Sequence, residues 1–152
     1  MVVGAKFKIQ NSKFKIRFQF KIQNSKFKMN EVSPITHRTF DFAVRIVNLC
    51  KAMEEKVGVA RTLSKQLIRS GTSIGANGSE SQAAQSTADF VHKLEIALKE
   101  ARETRYWLRL LIAVELFPES RLRPLLTESE ELIKIIASIV VKTKRNRANS
   151  KL

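Results

Sequence analysis

Residues 63–111 read LSKQLIRSGTSIGANGSESQAAQSTADFVHKLEIALKEARETRYWLRLL, and the spacing of their apolar and small side chains decides the fold. Leu63, Leu67, Gly71, Ile74 and Gly78 fall on one face of a helix expected from about Val59 to Gln85. Ser86-Thr87-Ala88-Asp89 then has the form of a capping box, in which a hydroxyl and a carboxylate three residues apart satisfy free N–H groups at a helix start. The helix that begins there turns Phe90, Leu94, Ala97, Leu98, Ala101, Leu108, Leu111 and Ile112 toward a core and stops before Phe117-Pro118. Two such helices around one short turn make a hairpin. Its register sets Arg69 level with Glu103, Asn77 with Glu95, and Gly71 with Ala101.

GTSIGANG, residues 71–78, has the glycines of a phosphate-cradling loop but not its context. No Gly-Lys-Ser/Thr follows and no strand precedes it. On a helix, Gly71 and Gly78 instead let a neighbour approach closely, which must offset roughly 1 kcal/mol of lost helix propensity at each.

N-terminal to this hairpin, Phe42, Ile46, Leu49 and Met53 recur at helical spacing from Thr39 onward, with Ala43, Val47 and Cys50 widening the stripe and Gly58 ending it. A fourth helix is expected after Pro124, apolar from Leu132 to Val141 and fraying into TKRNRANSKL. Short connections between four amphipathic helices predict an all-α, antiparallel up-down four-helix bundle over residues 36–145, with a basic tail at 146–152.

The first 30 residues differ in kind. FKIQNSKFKI at 7–16 returns as FKIQNSKFKM at 20–29, with apolar and basic residues alternating at the period of a strand. Phenylalanines that stack on bases and lysines that touch phosphates would make it a basic arm. A repeat with one Ile/Met difference also has the form of a translated short DNA repeat ahead of a start at Met29. This extension carries none of the functional reading.

The net charge of +14 is unevenly spread. Residues 1–30 hold eight Lys or Arg and residues 142–152 hold five, both without an acid, while residues 31–141 hold 15 basic and 14 acidic side chains. Affinity for phosphates is therefore expected first of the two ends. A single cysteine, Cys50, forms no internal disulfide, and with only His37 and His92 beside it no zinc set of Cys and His can be assembled. Neither metal nor cofactor is expected, and a reducing cytoplasmic setting fits. Uncharged Ile135–Val141 is far short of the roughly 20 residues of a membrane span, and lysines interrupt any apolar leader at the start.

The third helix has a second stripe away from its core face: Ile96, Glu100, Glu103, Trp107, Leu110 and Val114. The second helix sets Arg69, Ser73, Asn77 and Glu80 together on the side away from its apolar stripe. Such a face is either solvated or a subunit interface anchored by Trp107, Ile96 and Leu110, with Arg69 and Glu100 or Glu103 as the oriented polar contact. Lys142, Lys144, Arg145 and Arg147 are the candidate nucleic-acid contacts; alternatively they complement the helix dipole.

The run from Leu63 to Leu111, above all RSGTSIGAN, the Asp89, Phe90 and Lys93 of DF-x-x-K, and ALKEA with YWL, resembles the bacterial four-helix bundle proteins named after the 23S ribosomal RNA intervening sequences. The likeness covers about residues 36–145 and leaves out the first 30. It implies an up-down bundle that assembles as a homopentamer. It also implies a relation to the basic accessory proteins of diversity-generating retroelements, which bind a reverse transcriptase and its RNA. The expected function is a non-enzymatic oligomeric scaffold that binds RNA or a ribonucleoprotein; the alternative is a module that docks a polypeptide without nucleic acid. Catalysis is not expected. Asp89 beside His92 serves a cap, Glu100 and Glu103 lie beside Arg69, and Cys50 sits on an apolar stripe. No small-molecule substrate is expected.

Overall fold

A computed structural model describes residues 34–149, all within the unit Ser33–Leu152. The N-terminal repeat, Met29 and the last three residues of the tail lie outside the described residues. Four helices follow one another: α1 Pro34–Glu54, α2 Val59–Gln82, α3 Thr87–Ala113 and α4 Glu119–Asn149. Each packs along the next, and α4 returns to α1 over a shorter seam. The result is the expected all-α antiparallel four-helix bundle. Phe42, Ile46, Met53, Leu67, Ile74, Leu94, Leu108, Leu111, Leu122, Leu132 and Ile136 are buried almost completely at its centre. Each such side chain contributes about 1.5–3 kcal/mol by leaving water.

The glycines of α2 serve α1. A β-carbon at Gly71 would lie 2.7 Å from Cγ2 of Ile46, and one at Gly78 would lie 3.2 Å from Oγ1 of Thr39. The Cβ direction of both glycines is thus toward α1, while the ion pair of Arg69 with Glu103 keeps the hairpin register that sets Gly71 level with Ala101. The small face of α2 admits the β-branched Ile46 and Thr39 of α1, while the α3 side of α2 is joined by hydroxyls and charges. At the thin α1–α4 seam Arg38 reaches both Glu128 and Glu131.

The helix ends follow local chemistry. Ser86 Oγ accepts from the Asp89 N–H at 3.1 Å, and Asp89 accepts from the Gln85 N–H at 3.2 Å, so the capping box forms as read. α3 ends with the Leu116 N–H donating to Leu111 O and the Glu115 N–H to Ile112 O. That is the Schellman pattern, with Glu115 at φ 51° where glycine is usual. Phe117, buried in the following loop, has Lys56 Nζ at 4.9 Å and Arg121 at 5.7 Å from its ring centre, which ties together the two loops at this end.

Two expected boundaries on α4 change. The helix begins at Glu119, not after Pro124, because Leu122, Leu125 and Leu126 are buried at helical spacing and hold the turns on either side of the proline. It also continues as helix through Asn149 rather than fraying from Thr143. The basic segment therefore begins on a rod.

Candidate functional site

The predicted second face of α3 forms the outer edge of the α2–α3 seam. At its base, Thr104 Oγ1 donates to Ser70 Oγ at 3.0 Å, both residues fully buried. Beside it, nearer the surface, Arg69 makes an ion pair with Glu103 and lies 3.8 Å from Glu100 Oε2. The sequence left Glu100 and Glu103 as alternative partners; one guanidinium serves both, within a single chain. Glu103 Oε1 also accepts from Trp107 Nε1 at 3.2 Å, which orients the indole. Trp107 is half-buried against the core, Ile96 and Leu110 are half-buried, and Val114 is exposed.

Glu100 is 91% buried, yet its Oε2 has no hydrogen-bond donor. A buried carboxylate oxygen without a donor is costly, and here the only compensation is the charge of Arg69. Ser73 and Asn77, half-buried on α2, turn inward to their own helix. Ser73 Oγ donates to Arg69 O at 2.7 Å and Asn77 Nδ2 donates to Ser73 O at 2.9 Å. Glu95, expected level with Asn77, points to the other side of α3, where Lys144 Nζ reaches its Oε1 at 2.5 Å.

That bond separates the four C-terminal candidates. Lys142, Lys144, Arg145 and Arg147 are all exposed on the last turns of α4, but Lys144 is engaged by Glu95. Successive members point to different sides of the rod, so they form a basic end rather than a basic face.

A basic face does exist, on residues the sequence reading passed over. Lys99, Arg102 and Arg109 are exposed and Arg105 is half-buried along the outside of α3. Among the described residues none of the four makes an ion pair or a hydrogen bond through its side chain. Tyr106 stands among them at 58% exposure, its ring T-shaped against Trp107 with centroids 4.9 Å apart. Their spacing of three, three and four residues was the available signal.

Elsewhere the titratable groups serve packing. Burial, with a smaller contribution from Glu54, pushes the Cys50 thiol up to about 11, and its Sγ donates to Ser64 O at 3.5 Å. Such a thiol is a poor nucleophile near neutral pH. The Lys93 ammonium is held above its ordinary range by Glu80, which accepts from it at 2.5 Å across the α2–α3 turn. Among the described residues no group of three or more His, Cys, Asp or Glu is placed to hold a metal ion, and no helix is long and apolar enough to cross a membrane.

Fold and faces together define an all-helical bundle protein whose polar groups are arranged along helix sides. The chain belongs to the 23S rRNA-intervening sequence protein family, whose model matches residues 31–138. It is similar to a crystal structure of a protein of unknown function from the S23 ribosomal protein family of Bacteroides thetaiotaomicron VPI-5482. The two are 49% identical with a TM-score of 0.65, over 70% of this chain and 97% of that one. Comparison with curated proteins gives no match.

Proposed function

We propose that the protein is a non-enzymatic, self-assembling helical scaffold that binds RNA or a ribonucleoprotein, with five subunits as the count the family resemblance implies. The observation that carries the assembly is the apolar strip on α3, half-buried Ile96, Trp107 and Leu110 with exposed Val114, lying beside the Arg69–Glu103 ion pair. A second subunit seated on this strip would cover the apolar side chains and shield the Arg69–Glu103 ion pair from water. The exposed Lys142, Arg145 and Arg147 at the end of α4 support the RNA part of the reading. A ring repeats that basic end on every subunit, which raises avidity without a new kind of contact.

Light-scattering mass of the full chain, alone and with RNA at low and at moderate salt, tests the proposal. An oligomer that carries RNA at low salt and releases it at moderate salt is expected, because phosphate contacts are lost steeply as counterions compete. A monomer overturns the assembly. An oligomer indifferent to RNA shifts the reading to a module that docks a polypeptide, for which the apolar strip around Trp107 would be the contact.

A further inference from the structure

α3 carries five basic and four acidic side chains, close to balance. The structure removes that balance from the surface. Asp89 is spent on the helix cap, Glu95 on Lys144 of α4, and Glu100 and Glu103 on Arg69 of α2. Of the bases only Lys93 is paired, with Glu80. Lys99, Arg102, Arg105 and Arg109 are left along about 15 Å of one helix side, within an arc of about 120°. Across the α3–α4 seam, the register that joins Glu95 to Lys144 puts exposed Lys134 level with Arg105 and half-buried Glu130 level with Arg109. Like charges three and four residues apart work against helix stability, so this strip is costly to the fold and gains nothing from it within the chain.

We propose that the outer side of α3 is a single-stranded RNA-binding surface on which Lys99, Arg102, Arg105 and Arg109 contact successive phosphates and Tyr106 stacks on a base. This rests on the proposed RNA binding and places its main contact on α3, beside the basic end of α4. A row of cations alone would suit any polyanion. Tyr106 makes the choice, because an exposed aromatic ring inside a cationic track is the arrangement that holds single strands, with charge following the backbone and the ring receiving a base. The ring is braced for that use: Trp107 packs against it edge-on, and Trp107 is in turn oriented by Glu103. The paired carboxylates on one side of α3 thereby position the aromatic on the other.

Fluorescence anisotropy of a labelled single-stranded RNA of about 15 nucleotides, titrated with the full chain at several salt concentrations, tests the assignment. Four variants are compared: Lys99→Gln/Arg102→Gln/Arg109→Gln, the rival α4-end variant Lys142→Gln/Arg145→Gln/Arg147→Gln, Tyr106→Ala and Tyr106→Phe. Circular dichroism and mass confirm that each keeps the wild-type fold and assembly. The α3 triple variant should weaken binding by more than about ten-fold and lower the slope of log affinity against log salt by about 2, the counterions of three contacts. Tyr106→Ala should weaken it about ten-fold, with Tyr106→Phe close to wild type, since stacking needs the ring and not the hydroxyl. If the α4 variant loses binding while the α3 triple does not, RNA binding stands and the α3 surface is wrong. Absence of RNA binding by the wild type overturns both. Polyglutamate that displaces the RNA at equal charge concentration, with Tyr106→Ala unchanged, would mark a surface for acidic protein and overturn the assignment.

Discussion

On the side of α3 that meets α2, Glu100 and Glu103 share Arg69, Trp107 donates to Glu103, and Thr104 donates to Ser70 at the base of the seam. On the side turned away, Lys99, Arg102, Arg105 and Arg109 run the same length with no carboxylate bonded to any of them. One helix thus has a side where opposite charges meet and a side where like charges are left together. The difference teaches that a near-neutral total says little about a surface. What matters is which charges the neighbouring helices consume, and here α2 and α4 consume acids.

The largest expected effect is on the paired side. Trp107→Ala removes a half-buried aromatic that packs on the core and braces Tyr106, and should lower stability by about 2–3 kcal/mol in urea unfolding followed by circular dichroism. If Trp107 also anchors a subunit contact, the same variant loses oligomer mass before it unfolds. Arg69→Leu comes next. It leaves buried Glu100 without its cation and should cost about 1–2 kcal/mol, below the loss for a fully buried pair because the Arg69 side chain is 55% exposed. Restoring stability with Glu100→Gln/Glu103→Gln in the Arg69→Leu background would show that the loss comes from stranded charge. A background-independent loss would instead assign it to packing of the arginine stem.

The triple variant Lys99→Gln/Arg102→Gln/Arg109→Gln should move stability by less than about 0.5 kcal/mol, and in the upward direction, since it relieves repulsion and breaks no bond. A loss as large as that of Arg69→Leu would end the distinction between the two sides. Cys50 supplies the smallest signal and a common reporter. Its thiol is raised to about 11, so the stability tied to the neutral form is fully present below the ordinary thiol range and is lost as pH rises through about 11. Alkylation at pH 8 should be slow in the wild type and in the triple variant, and faster in Trp107→Ala, in proportion to the fraction unfolded.

Much of the bundle was legible in the sequence because its signals are local. The capping box at Ser86, the apolar spacing of α1 to α3 and the stop before Phe117-Pro118 each depend on residues within a turn or two. The hairpin register was legible too, and it placed Arg69 level with Glu103. Other features were not legible, because packing beyond the local turn decided them. Gly71 lies against Ile46 of α1 because sequence marks a small face without saying which helix it admits. Pro124 lies inside α4 because buried leucines on both sides outweigh the missing N–H. The cation row of α3 is hidden in the near-neutral charge of residues 31–141, because pairing with α2 and α4 decides which charges stay free.

Four helices, the cap of α3, the apolar faces and the turn that brings α2 beside α3 follow from sequence alone, since helical periodicity and capping are properties of neighbours in the chain. Only the tertiary structure decided which charges remain free. Arg69 lies 34 residues from Glu103, and Glu95 lies 49 residues from Lys144. Pairing over such distances in the chain is fixed by the register of packed helices, and that register turned a balanced helix into one with a basic outer side.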